Sequence, residues 1–204
     1  FATVTPDSIG GIVHPGYPLN NALPNSLVSI GTLPDEYILL NQFYEDGSMY
    51  AGFSRAIIGD DGRSMMPQPM YIYQFDLTAS DVDLTMTADG HILILSMRRA
   101  DGKGLNDLYV SFYIRNNVWS APMHMGSVLN TSFQETSPHI SPDKRFLYFS
   151  SNRPDGMGGS DIYVSERLNY SWLKWSEPTL LKGNVNTIAD ESQPFIDSDA
   201  TYLY

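Results

Sequence analysis

The feature that most constrains this chain is a long internal repeat. An aspartate in a turn, followed by an apolar run, recurs at Asp35, Asp89, Asp143 and Asp199, at intervals of 54, 54 and 56 residues. Other landmarks keep step with it. GLNDLYVS from Gly104 to Ser111 is echoed by GGSDIYVS from Gly158 to Ser165, and Trp119-Ser120 with Pro122 by Trp175-Ser176 with Pro178. Asn130-Thr131 ahead of Glu135 returns as Asn186-Thr187 ahead of Glu191, and HPGYPLN at His14 to Asn20 matches HMGSVLN at His124 to Asn130. A period this long is one supersecondary unit copied several times, each copy covering the apolar face of the next.

The copy from Glu135 to Asn186 reads most plainly. Thr136 to Ser141 alternates polar and apolar residues, and Ser141-Pro142-Asp143-Lys144 is a turn in which Pro and Asp supply the backbone geometry. Phe146 to Ser150 is aromatic and aliphatic, which predicts a strand buried on both faces. Asn152 to Ser160 holds Gly156, Gly158 and Gly159 and predicts a loop; Asp161 to Glu166 predicts a third strand and Trp175 to Lys182 a fourth. Apolar residues at helical spacing are absent over any useful length, and 16 Gly and 13 Pro punctuate the chain. The expectation is an all-β fold of four-stranded antiparallel units, which is the description of a β-propeller blade.

Blades are expected at about 25–75, 81–130 and 135–188, with partial blades at 1–20 and 191–204, all in one domain spanning 1–204. That makes about three and a half blades, short of the 4 to 8 of closed propellers, so the chain is expected to be a segment of a longer polypeptide.

SPDKRFLYFSSNRPDGMGGSDIYVS at Ser141 to Ser165, followed by WSEPTLLKGNVNT and ESQPFIDSD, resembles the TolB-type, WD-like β-propeller repeat. The likeness is to the variety found in periplasmic and outer-membrane-associated proteins of Bacteroidetes-type bacteria, often ahead of a peptidoglycan-binding OmpA-like domain. It covers Asp81 to Tyr204 best. In the first repeat LPDE replaces the SPD turn, and MYAGFSRA stands where GGSDIYVS would be, with Phe53 at the aspartate position. The resemblance implies a periplasmic setting with other envelope proteins as partners, and peptidoglycan reached only through a domain outside this segment.

Composition narrows the partners. With 23 acidic and 12 basic residues the net charge is −11, and no basic stripe offers a footprint for nucleic acid. The absence of cysteine removes disulfides and thiolate chemistry. No apolar run approaches the roughly 20 residues of a membrane-spanning helix.

Few residues could carry chemistry. Asp107 and Asp161, at the start of a strand in successive repeats, read as acids that lock a turn; the competing reading makes them ligand-gripping acids at the propeller mouth. Recurrence favours the structural role. Asp89 and Asp143 read as turn formers. Trp119 and Trp175 are candidate platforms for sugar rings, but their fixed place in the repeat points to packing between sheets. Trp172, Tyr170 and Tyr113 do not recur in register and are expected in exposed loops as contact residues, together with Met157 in the Gly-rich loop. Met65, Met66 and Met70 form either an adaptable apolar patch or packing beneath the first blade.

His14, His91, His124 and His139 show no metal-ligand spacing, and Thr85 and Phe195 stand where His139 would repeat. Asp60-Asp61 and Asp197-Ser198-Asp199 offer oxygens without the spacing of a dedicated calcium loop. No GxSxG elbow or local triad is present, so no catalytic residue and no cofactor are expected. The predicted function is a non-catalytic interaction scaffold of the bacterial envelope. The alternatives are the propeller of a larger hydrolase or peptidase, and a glycan-binding module.

Overall fold

The computed structural model describes residues 26–59 and 61–197, together with 3–5, 8–10, 16, 18–19, 199 and 202–204. All its strands and no helices lie there: the protein is all-β among the described residues. Most of the expected partial blade at 1–20, including His14, lies outside them, as do Asp60 and Ser198. The chain forms two compact units, Phe1–Tyr71 and Ile72–Tyr204.

In the first unit β1 (Thr3–Thr5) pairs with β2 (Ser8–Gly10). A separate antiparallel sheet runs in the order β3 (Leu27–Ile30), β4 (Glu36–Phe43), β5 (Met49–Ile57) and β6 (Gln68–Ile72). Its core gathers Leu19, Leu39, Phe43, Ala56 and Ile58 with Met66 packed against them, and Met70 is fully buried. Of the three methionines only Met65 projects to solvent, so packing accounts for the other two.

The first repeat is out of step with the spacing of its aspartates. Gly31 N–H donates to the Glu36 carbonyl, as Thr87 does to Ile92 and Ser141 to Phe146. These equivalent pairs place Asp35 two residues past the turn aspartates, and Asp35 is instead the left-handed residue of its turn (φ 59°). The carboxylate that caps the turn comes from Glu36, whose Oε2 accepts from Thr32 N–H at 2.7 Å and Leu33 N–H at 3.3 Å. Leu40 pairs with Phe53 as Ser96 does with Leu108 and Ser150 with Ile162. Gly52, not Phe53, therefore occupies the aspartate position.

The second unit holds two sheets. The first is β7 (Val82–Met86), β8 (Ile92–Met97), β9 (Asp107–Arg115) and the short β11 (Met123–His124), with β10 (Val118–Trp119) folded back on the far half of β9. The next is β12 (Glu135–Ile140), β13 (Phe146–Ser151), β14 (Asp161–Glu166) and β15 (Thr179–Leu180), all antiparallel. The fourth strand is two residues long rather than Trp175 to Lys182, because Pro178 has no N–H for the ladder. β13 is half-buried at Phe146 and Tyr148, so it is not covered on both faces along its length. Between the sheets lies a core of Ile92, Ile94, Leu108, Val110, Met125, Leu129, Ile140, Leu147, Phe149, Tyr163, Trp172 and Trp175.

Candidate interaction surface

The repeated carboxylates serve the repeat. Asp107 Oδ2 accepts from the N–H groups of Lys103 (2.8 Å) and Gly104 (3.2 Å), and Asp161 Oδ2 from those of Met157 (2.9 Å) and Gly158 (3.1 Å). Both side chains are buried, at 0% and 1% exposure, so they close their loops from inside. A Cβ on Gly102 or Gly156 would sit 2.4 Å or 2.1 Å from the same carboxylate oxygens, which explains why the loops need glycine there. Asp89 Oδ1 accepts from the Thr87 hydroxyl at 2.6 Å, and Asp143 Oδ1 from Ser141 at 2.5 Å and from Arg145 N–H at 3.0 Å. Burial would raise the pKa of Asp89, but hydrogen bonds from Lys144, Thr87 and the His91 backbone hold it far below the usual range. Lys144 also ties its own turn to the preceding one through that aspartate.

A second set of residues, visible in the sequence as landmarks but without an evident role, ties each sheet to the segment that leads out of it. The Asn130 amide brackets the Leu108 backbone, accepting from its N–H at 2.7 Å and donating to its carbonyl at 2.9 Å; Asn186 does the same to Ile162 at 2.7 and 3.0 Å. Ser96 donates to the carbonyl of Glu135 at the start of β12 at 2.7 Å, and Ser150 to that of Glu191, in the segment after β15, at 2.6 Å. Glu135 is fully buried, held by Thr131, Ser151 and Arg153, and burial raises its pKa against those bonds. Its carboxylate is thus part of that tie.

Trp119 and Trp175 are buried, as packing requires. Trp172 corrects the sequence reading: it is 5% exposed, not a surface contact. The loop after β14 turns left-handed at Trp172 (φ 63°), which sends the indole into the core between the sheets, where its carbonyl accepts from Trp175 Nε1 at 2.8 Å. Tyr170, in the same loop, is 92% exposed. The Arg167 guanidinium lies 5.5 Å from the Tyr170 ring centroid and 4.6 Å from that of Trp172, and donates to the Lys144 and Asn169 carbonyls. The exposed ring therefore rests on a fixed cation.

Tyr113 lies in strand β9 rather than in a loop, partly exposed, with edge contacts to Trp119 and His91. Met157 is exposed in the loop before β14, whereas Tyr170 is in the loop after it. Six strand residues separate those loops by about 20 Å. Met157 thus belongs to a different end of the sheet from Tyr170, and the two do not form one small patch.

His124 packs against Tyr109, His139 against Phe195 and His91 against Tyr113. No group of three or more metal-ligating side chains occurs among the described residues.

No protein-family model matches the chain, and no curated protein matches it. Among solved structures it is similar to a candidate 6-phosphogluconolactonase of Bacteroides fragilis, at 12% identity and a TM-score of 0.34, over 88% of this chain and 72% of that one.

Proposed function

We infer that the chain is a non-catalytic interaction scaffold built of β-propeller blades, each four-stranded sheet being one blade. The observation that carries this reading is how the polar residues divide. Acids that recur with the repeat are spent on backbone N–H groups inside it, while Tyr170, which breaks the repeat, stands exposed on a rigid base. An exposed aromatic ring that already rests against a cation gives up a large contact area on binding, the property of an interface anchor. The resemblance of Ser141 to Ser165 to TolB-type repeats supports a periplasmic, outer-membrane-associated setting with envelope proteins as partners.

The test is a photo-crosslinking amino acid placed in turn at Tyr170, Tyr113 and Met157 of the protein in its native cells. A discrete adduct with one envelope protein at Tyr170 is the expected result. Absence of any adduct at all three positions, or fractionation of the protein with the cytoplasm, would overturn the reading.

A further inference from the structure

The third repeat departs from the second in the hairpin that follows its third strand. Both hairpins close on matching bonds: Tyr113 N–H donates to the His91 carbonyl and Ser120 N–H to that of Phe112, as Arg167 N–H does to Arg145 and Ser176 N–H to Glu166. The serine hydroxyls match as well, Ser111 donating to the Ser120 carbonyl and Ser165 to that of Ser176. Yet Ser120 follows Tyr113 by seven residues and Ser176 follows Arg167 by nine. The two extra residues account for the longer interval between Asp143 and Asp199, and the second repeat shows that the sheet closes without them. They lie in the stretch that carries Tyr170.

The lengthened hairpin sets Arg167 where the preceding repeat has Tyr113, and it leaves part of the guanidinium unspent. Nε donates to the Lys144 carbonyl at 2.8 Å and Nη1 to the Asn169 carbonyl at 3.0 Å, with the rings of Trp172 and Tyr170 alongside. Nη2 makes no hydrogen bond and stays open to solvent, and no carboxylate of the described residues lies within ion-pair range of the group. The neighbouring cations are committed, Lys144 to Asp89 and Arg145 to Glu166 at 2.8 Å. Leu168 and Leu173 flank the site at 60% and 41% exposure.

We propose that Arg167 receives a carboxylate of the protein partner, an Asp or Glu set beside an apolar or aromatic residue in an extended segment; this deepens the reading of the Tyr170 surface and rests on it. A protein seated on the Tyr170 ring also covers the guanidinium 5.5 Å from it. If it brought no acceptor it would bury an unpaired charge, so the partner must supply one. A carboxylate is the side chain that takes two guanidinium N–H groups side by side. The two carbonyls that already hold Arg167 spare much of the ordering cost, and Leu168, Leu173 and Tyr170 offer contact to the apolar neighbour of the acid. An anionic lipid surface would call for a cluster of about four to eight bases. Here Arg167 and Lys174 are the bases of the hairpin, Glu166 and Glu177 stand at its ends, and the chain carries a net charge of −11.

Selection of a displayed library of random dodecapeptides on the immobilised full chain tests the contact. The expected peptides carry Asp or Glu beside Leu, Ile or an aromatic residue. Their affinity should fall about tenfold or more with Arg167→Gln, and as far when the acid of the peptide is replaced by its amide, a change that leaves the fold of the chain untouched. Arg115→Gln, in the shorter hairpin of the second repeat, should change nothing. Peptides without an acid, affinity indifferent to Arg167, or failure to enrich any peptide would each overturn the proposal. So would vesicles of phosphatidylglycerol and phosphatidylethanolamine that capture the chain but not its Arg167→Gln variant. A crosslinker at Tyr170 separates this contact from the interface itself. Loss of the adduct in the Arg167→Gln background is expected; an adduct formed equally there refutes the carboxylate contact alone, whereas no adduct in either background refutes the interface and the contact with it.

Discussion

Asp161 and Asn186 do similar work by opposite chemistry. The aspartate gathers two N–H donors of one loop; the asparagine offers a donor and an acceptor to one residue of a strand. The partners of Asn186 are buried backbone groups of a strand, those of Asp161 the N–H groups of a part-buried loop closed on a buried carboxylate, and truncation that leaves such groups without a partner costs more than the bonds themselves. Asp161→Ala and Asn186→Ala should each lower unfolding free energy by about 2–3 kcal/mol in urea titration, and Asp107→Ala and Asn130→Ala should match them. A change below half a kcal/mol at any of the four would mean that the loop rearranges to find other partners. Asp83 is a different case. Burial, opposed by the bond from Leu84 N–H, raises its pKa from 3.8 to about 6. The unfolded chain ionises this group first, so the folded state is favoured below pH 4 and loses up to about 3 kcal/mol as pH rises through 6. Asp83→Asn should flatten that part of the stability profile; thermal melts of the two proteins between pH 3.5 and 7 would read it.

At the scale of elements, the glycines of the two long loops mark where backbone passes backbone. A Cβ on Gly104 would lie 1.8 Å from the Phe133 carbonyl oxygen, and one on Gly158 would lie 2.5 Å from that of Ala189. Neither neighbour is a flexible side chain, so Gly104→Ala and Gly158→Ala should loosen the loop from the linker beside it. Hydrogen exchange at Leu105 and Gly159, whose N–H groups bond that linker, should accelerate at least tenfold while β8 and β13 stay protected. These elements were largely legible beforehand: alternation and turn residues located β12, β13 and β14 to within a residue, because strand period and turn chemistry are local. The register of the first repeat was not, since the turn carboxylate there moved from the aspartate to Glu36 and the spacing of aspartates then misled. Nor was the fate of Trp172. A tryptophan among Asn, Tyr, Ser and Lys has the composition of a loop contact, and only the left-handed backbone at that position, a tertiary outcome, turns it inward. The separation of Met157 from Tyr170 follows from strand direction and was available from the sequence once β14 was placed between them.

For the molecule as a whole, net charge dominates. At −11 with a sequence pI near 4.5 the folded chain repels itself at neutral pH. Raising NaCl from about 10 to 200 mM should therefore raise the melting temperature by a few degrees. A fall instead would show that specific ion pairs, such as Lys144 to Asp89 between repeats and Arg153 to Glu135 within one, outweigh the general repulsion. The short outer strands pose a separate hazard, because a sheet that ends in two residues leaves much of its last long strand open to any extended chain that drifts by. The amides of Asn130 and Asn186 stand where such an intruder would attach, each filling one N–H and one carbonyl on that margin. A single side chain per repeat thereby acts as a stopper that denies an incoming strand the N–H and carbonyl it would need to begin pairing.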